Sequence, residues 1–215
     1  MKDYHQKNIS EYKTFFFDLD GTLINSNKLH EKAFQMILDS TDSIMTKNFN
    51  YSKYMGMKTS EVFTLMGYDN KFIEELTYMK QSIYRQYIEN KEVELFPYVD
   101  ELLEKIIVKG YKAYIVTGSS LTSVNLILKY SKLGLYINDF ICGDEVKKSK
   151  PDPEIYLSAL KKFDLNPDEV LAIEDSYNGI ISAVNAGIRT VSVNDYCNHH
   201  LVQFLSLEEI YRFLS

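Results

Sequence analysis

Cysteine is scarce in this chain: Cys142 and Cys197 are the only two among 215 residues. Two thiols build no disulfide framework and, without a CxxC spacing, no zinc or redox motif, so both read as reduced thiols. Long apolar runs are also missing. No stretch approaches the roughly 18 apolar residues a membrane span requires. Met1 to Lys13 is polar and charged, unlike the basic-then-apolar pattern of a secretory leader. The expectation is a soluble, cytoplasmic protein with no membrane partner. Positive charge is in deficit too, with 24 Lys and Arg against 30 Asp and Glu and a formal net charge of −6. A nucleic-acid partner is not expected, since such proteins carry a basic stripe. A small anionic substrate stays compatible, because a metal and a few local cations override the overall sign. Internal repeats and low-complexity tracts are absent.

What is present suits a globular protein: 45% hydrophobic and 25% charged residues supply a sizeable core and a solvated surface. Thr14-Phe15-Phe16-Phe17 is a short apolar run that predicts a strand buried on both faces. Runs of the same character lie at Lys112–Val116, Val170–Ile173 and Thr190–Val193, with a weaker one at Asp139–Cys142. Between them, helical spacing covers Asp100–Lys109, Ser119–Lys132, Pro153–Phe163 and Asn178–Ala186, with Gly110 and Gly187 as C-terminal stops. Ser206-Leu207-Glu208-Glu209 reads as a capping box opening a last helix to Leu214. Strands alternating with helices predict a parallel sheet covered on both sides.

The stretch from Asn27 to Glu92 breaks this rhythm. It holds no strand run, and helices are expected over Lys28–Ser40, Thr59–Met66 and Asn70–Asn90. A parallel crossover needs only a dozen or so residues, so this far longer segment reads as a helical insert. The alternative is that its helices merely extend the α/β layer.

The chemistry-bearing residues fall at strand ends. Asp18 and Asp20 close the first apolar run and Gly21 permits a tight reversal after them. That is where open α/β sheets hold ligands, although a plain Asp-Gly turn would look alike. Thr117-Gly118-Ser119 ends the second run, and a hydroxyl with backbone amides there suits a phosphate oxygen or an ordinary helix cap. Lys150 lies between Ser149 and Pro151, in a loop stiffened by Pro151 and Pro153; Lys147 and Lys148 read as solvated charges. Glu174-Asp175 closes another run, with oxygen ligands of the kind Mg²⁺ takes, or simply an acidic first helical turn.

Taken in order, Asp18-x-Asp20-Gly-Thr-Leu, Thr117-Gly118, Lys150-Pro-x-Pro and Glu174-Asp175-Ser-x-x-Gly179 resemble the four motifs of the haloacid dehalogenase superfamily. The first motif alone is a chance event on the order of 1 in 10⁵ per position. The helical insert resembles that of the members related to phosphoglycolate phosphatase and β-phosphoglucomutase. The resemblance implies a doubly wound, Rossmann-like parallel sheet, with residues 1–25 and 93–215 as catalytic core. Residues 26–92 would be a helical-bundle cap inserted after the first strand, with Ser26 at the hinge. It further implies a Mg²⁺-dependent phosphatase acting on a small phosphorylated metabolite. In that scheme Asp18 is the nucleophile and Asp20 the general acid and base. Thr117, Gly118 and Lys150 hold the phosphoryl group, and Asp18, Asp20 through its carbonyl, Glu174 and Asp175 hold the metal. A carboxylate at position 20 favours a phosphate ester over the branches whose leaving groups need no acid.

In the cap, His30, Lys58 and Thr59 are the candidates for substrate specificity. His30 resembles a cap histidine of β-phosphoglucomutase, or it is a plain surface histidine. Thr59 stands where that mutase has an arginine for its second phosphate, which favours hydrolysis over a mutase; a non-catalytic binding module is the third reading. Tyr51, Tyr54, Tyr68, Tyr78, Tyr84 and Tyr87 read as packing, and His199-His200 with Asp195 as surface loop. Oligomeric state is left at a monomer or small homo-oligomer.

Overall fold

The computed structural model describes residues 8–41, 49–193 and 202–214. Asp195, Cys197, His199 and His200 lie outside them. The first apolar run forms β1 (Thr14–Phe17). The insert follows as α1 (Asn27–Ser40), α2 (Thr59–Leu65) and α3 (Asn70–Glu89). The chain returns through α4 (Val99–Val108), β2 (Lys112–Val116), α5 (Leu121–Tyr130), α6 (Leu133–Tyr136) and β3 (Asp139–Ile141). It ends with α7 (Glu154–Lys162), β4 (Val170–Glu174), α8 (Tyr177–Asn185), β5 (Arg189–Ser192), β6 (Gln203–Phe204) and α9 (Leu207–Phe213). Five of these strands match the expected runs to within a residue or so. The two-residue β6 has no counterpart among those runs, because so short an edge segment carries no periodicity. Where the spacing predicts one helix over Ser119–Lys132, the chain breaks at Ser131, whose extended backbone ends α5 before the single turn of α6.

All strand pairs are parallel, in the order β3-β2-β1-β4-β5-β6 among the described residues. The expected Rossmann-like sheet is thus observed. The side-chain period of two splits the core. Phe15, Phe17, Ile115, Leu171 and Ile173 face one side with Leu102, Ile106, Val124, Ile127 and Ile210. Phe16, Val116 and Ala172 face the other, against Ile155, Tyr156, Ala159 and Ala183 of α7 and α8. Burial on both faces explains why β1 after Thr14, and β4, are apolar at every step up to Asp18 and Glu174.

In the insert, Phe34, Ile37, Leu38, Val62, Phe63, Met66 and Leu76 form their own buried cluster. Yet Ala33 of α1 and Tyr84, Tyr87 and Ile88 of α3 join the core cluster instead. The inserted helices therefore lean on the sheet layer at one end and on one another at the far end. The two chain crossings between insert and core are laced by backbone bonds: Asn25 N–H to the Glu94 carbonyl at 2.8 Å and Phe96 N–H to the Leu23 carbonyl at 3.0 Å.

Candidate active site

Because β1, β2 and β4 run parallel and in register, their C-terminal ends fall side by side, and the motif residues follow them directly. Asp18 leaves β1, Thr117 leaves β2, and Glu174 and Asp175 end β4. The tight reversal after Asp20 uses Gly21 at φ +89°, where a Cβ would also sit 2.0 Å from Asp175 Oδ2. Only glycine tolerates both conditions.

Lys150 is fully buried and reaches into this junction. Its ammonium donates to Asp18 Oδ1 and Glu174 Oε1, each at 2.6 Å, and to the Val116 carbonyl at 3.0 Å. Three N–H groups thereby meet three acceptors. Burial works against the charge of Lys150, but Asp18 and Glu174 outweigh it and raise the lysine above its usual range. Tyr156 adds a hydrogen bond to Glu174 Oε1 at 2.6 Å. The other oxygen, Glu174 Oε2, is buried with no hydrogen-bond partner.

Carboxylate oxygens of Asp18, Glu174 and Asp175 lie within 4.8 Å of one another. One lysine offsets only one of three negative charges. Burial, opposed by Lys150, together with Glu174 and Asp175 drives Asp18 well above the ordinary carboxylate range. Burial and Glu174 raise Asp175 likewise, against a 3.0 Å hydrogen bond from Asn27 Nδ2. Hard oxygen donors from three acids in one buried space, which raise one another's proton affinity, and an orphaned Glu174 oxygen together suit a divalent cation such as Mg²⁺.

Asp20 turns the other way, toward the insert. Its Oδ1 accepts from Ser26 Oγ at 2.7 Å, Tyr84 OH at 2.7 Å and His30 Nε2 at 2.9 Å, and its Oδ2 accepts from Ser119 Oγ at 2.5 Å. Burial opposes its ionisation. The interaction with His30, and hydrogen bonds from His30, Ser119 and Ser26, outweigh burial and hold the carboxyl below its usual range. Behind His30, Lys80 Nζ lies 2.6 Å from Nδ1. Burial and Lys80 pull the imidazole down, and burial pulls Lys80 down to about 7. A neutral imidazole that accepts from Lys80 at Nδ1 and donates to Asp20 at Nε2 satisfies every contact; this tautomer is assigned from the network. The ring is stacked between Tyr84, 3.7 Å away, and Tyr51, 5.9 Å away.

Between the two acids and the insert lies a cavity of about 40 Å³, lined among others by Asp18, Asp20, Asn27, His30, Tyr51, Thr59, Lys80, Thr117, Gly118 and Ser119. A water needs roughly 10–15 Å³ by this measure, so the space between insert and core holds only a few atoms. The structure thus brings Asp18, Asp20, Thr117, Gly118, Lys150, Glu174 and Asp175 into one junction, with His30 and Thr59 facing it. Lys58 does not face the cavity: its ammonium leaves for the Val146 and Lys147 carbonyls. Lys58 precedes α2 in extended backbone while Thr59 begins the helix, so the neighbours point apart. Tyr84, Lys80, Tyr51 and Asn27 also line the cavity and are not singled out by the sequence alone. By spacing, Tyr84 and Tyr51 read as packing. Lys80 does leave a signal, as a lone cation in the buried stripe Leu76-Lys80-Tyr84-Ile88 of α3.

The parallel sheet carries acids at its strand ends with a buried lysine among them, an arrangement suited to a hydrolase centre. Residues 15–193 match the haloacid dehalogenase-like hydrolases, and the chain belongs to that family. The expected phosphohydrolase of this family is borne out by that match and by phosphatase-named relatives. One is the pyrophosphatase PpaX of Bacillus mycoides, 33% identical over 184 residues covering 84% of this chain and 83% of the relative. Among solved structures, a point mutant of CbbY from Rhodobacter sphaeroides, in complex with xylulose-(1,5)-bisphosphate, superposes with a TM-score of 0.78 at 21% identity, over 93% of this chain and 95% of that one. The β-phosphoglucomutase of Clostridium difficile gives 0.80 at 21% identity, over 94% and 97%. At such identities these two attest the fold.

Proposed function

We propose that this chain is a Mg²⁺-dependent phosphatase that hydrolyses a small organic phosphate monoester through an aspartyl-phosphate on Asp18. The observation that carries this reading is the Asp18–Lys150–Glu174 junction, buried, short of positive charge and with one carboxylate oxygen unpaired. Residues 26–92 are read as a cap over a core of residues 1–25 and 93–215. Asp18, Glu174 and Asp175, with the Asp20 carbonyl, would hold the metal. When bound, Mg²⁺ supplies positive charge that keeps Asp18 ionised and polarises the phosphoryl group.

In the first step an Asp18 carboxylate oxygen forms a bond to phosphorus while the ester P–O bond breaks, and Asp20 gives the departing oxygen its proton. Like charges meet in this approach, so Lys150 at 2.6 Å from Asp18 lowers the barrier by offsetting one of them. Thr117 and the Gly118 amide would hold equatorial oxygens, where charge accumulates. Asp20 stands here as a carboxylate, the form that takes a proton from water in the second step. A phosphate dianion beside it raises its proton affinity for the first. Water then attacks phosphorus, the bond to Asp18 breaks, and phosphate leaves. The insert, with Tyr51 and Tyr84 packed against His30, would limit bulk water during the first step.

Thr59, at the position that resembles the mutase's arginine, supports hydrolysis over a mutase that must grip a second phosphate. The Bacillus relative's name supports one second reading, inorganic pyrophosphate as substrate. Both are tested by phosphate release from a panel of phosphorylated metabolites and pyrophosphate, with Mg²⁺ and with EDTA. Release is expected with Mg²⁺ only and should fall roughly 10³-fold or more in Asp18→Asn. Hydrolysis persisting in that variant, deamidation excluded, overturns the nucleophile. No helix among the described residues is long and apolar enough to cross a membrane. A cytoplasmic enzyme acting on a small metabolite, as monomer or small homo-oligomer, is the setting we propose.

A further inference from the structure

The loop that carries Lys150 is gripped from two sides. From the core, Glu154 at the start of α7 accepts the Lys147 and Lys148 amides, one on each oxygen, both at 2.9 Å. Ser182 on α8 donates to the Asp152 carbonyl at 2.6 Å. From the insert, Glu61 in the first turn of α2 accepts the Ser149 amide at 2.9 Å and the Ser149 hydroxyl at 2.5 Å. Lys58, one residue before α2, donates to the carbonyls of Val146 at 2.5 Å and Lys147 at 3.3 Å. Ser149 is buried and adjoins Lys150 in the chain. The insert presses close here, since a Cβ on Gly56 would lie 3.3 Å from Lys150 Cδ.

Charged side chains that link two segments usually sit on the solvated rim as weak ion pairs. Glu61 and Lys58 behave differently. Neither is in an ion pair among the described residues. Lys58 spends its charge on two backbone carbonyls of one short loop, and Glu61 on the backbone amide and hydroxyl of Ser149 in the same loop, in the stronger, charge-assisted class of hydrogen bond. A grip on main chain fixes where the next residue's side chain starts, and the next residue is Lys150.

We infer that Glu61 is a positioning residue: it clasps Ser149 from the cap, so that closure sets the backbone aiming Lys150 between Asp18 and Glu174. Lys58 is the second grip on the same loop. The grip itself is independent of the reaction; its catalytic consequence rests on the phosphatase reading above. With the cap raised, the Ser149 amide and hydroxyl lose their carboxylate partner and Lys150 loses its fixed origin. The lysine is then set only over an enclosed substrate.

The test uses the full-length protein with Mg²⁺ and p-nitrophenyl phosphate, alongside amide hydrogen exchange without substrate. Glu61→Ala is expected to lower kcat roughly 10- to 100-fold with KM changed less than about threefold, the cost of a displaced catalytic group. Exchange over residues 147–150 should accelerate while β1 keeps its protection, which reports that the core stays folded. Glu61→Gln keeps a carbonyl for the Ser149 amide and should return kcat to within about fivefold of wild type. Ser149→Ala added to Glu61→Ala should cost less than about twofold more, because the two act as one unit. A Glu61→Ala variant with raised KM and unchanged kcat overturns the inference, since Glu61 would then only dock the cap. Unchanged exchange over 147–150 overturns it as well. If the wild type releases no phosphate from any substrate, the phosphatase reading fails, and the exchange result still decides the grip.

Discussion

Gly179 should be a position where alanine, the best helix former, destabilises a helix. It is the third residue of α8 and buried. In an exposed helix interior glycine to alanine gains about 1 kcal/mol. Here the added Cβ would lie 2.0 Å from Glu174 Oε2, 2.2 Å from Cδ and 2.3 Å from Oε1. Those separations cannot be kept, so either α8 lifts or Glu174 swings away. Glu174 has little freedom to swing, because Oε1 takes both Lys150 and Tyr156 at 2.6 Å. Moving it leaves a buried lysine with half its counter-charge, and breaking one side of such a pair costs roughly 3–5 kcal/mol. Setting the helix gain against that gives a net loss of about 2–4 kcal/mol. At this chain length that is a fall in Tm of roughly 5–15 °C. Thermal unfolding of Gly179→Ala with and without Mg²⁺ measures it, and the Mg²⁺-induced rise should shrink because a proposed metal ligand has moved. A variant as stable as wild type, or more so, would refute the reasoning by showing that α8 yields at no cost.

Three further outcomes follow from the same geometry. Gly118→Ala would put a Cβ 2.6 Å from the Gly56 carbonyl oxygen and hold the insert off the core. Turnover should fall on the order of 10²-fold while stability changes by less than about 1 kcal/mol; kinetics and denaturant melts check both. Mg²⁺ at a hundred times its Kd should stabilise by about 2.7 kcal/mol. Asp18 and Asp175 are raised when metal-free, so between the ordinary carboxylate range and those raised values the folded chain holds more protons than the unfolded one. Metal-free stability from these groups therefore falls as pH rises through that window, and the Mg²⁺ shift in Tm should be larger at pH 7.5 than at pH 5. Lys80, pulled down to about 7 by burial, loses its proton as pH rises through that value. The pH profile of kcat/KM should then carry an alkaline limb near 7 that vanishes in Lys80→Met; a limb that persists assigns it to another group.

The strand-end acids are legible because two periodicities meet there. A short apolar run bounded by turn residues reads as a strand buried on both faces, and a carboxylate directly after such a run is costly there without a compensating charge. Two such junctions, at Asp18 and at Glu174-Asp175, with Thr117 closing a third run and Lys150 in a proline-stiffened loop, leave the sheet and its metal-suited end readable from Thr14 to Asp175. The insert offers no comparable contrast. Along α3, Tyr84 and Tyr87 obey the same spacing as Leu76 and Ile88, and all four are buried. Spacing reports burial and says nothing of what a phenol oxygen touches, so Tyr84 on Asp20 is indistinguishable in sequence from Tyr87 in the core.

Lys80 is the exception that could be read. A lysine at an apolar position of a helix is costly to bury without a partner. Given His30 fifty residues earlier on α1, a partner exists for it to find. Lys58 and Thr59 show the opposite limit. Both follow Gly56 within three residues, and the choice between cavity and core loop is made by the first helical residue of α2. A one-residue shift of that start would exchange their directions, and helix starts are the least certain feature of a sequence. Motif position alone therefore points to the substrate-facing segment of the insert, and it takes the backbone at α2 to show that Thr59 meets the cavity while Lys58 and Glu61 hold the lysine loop.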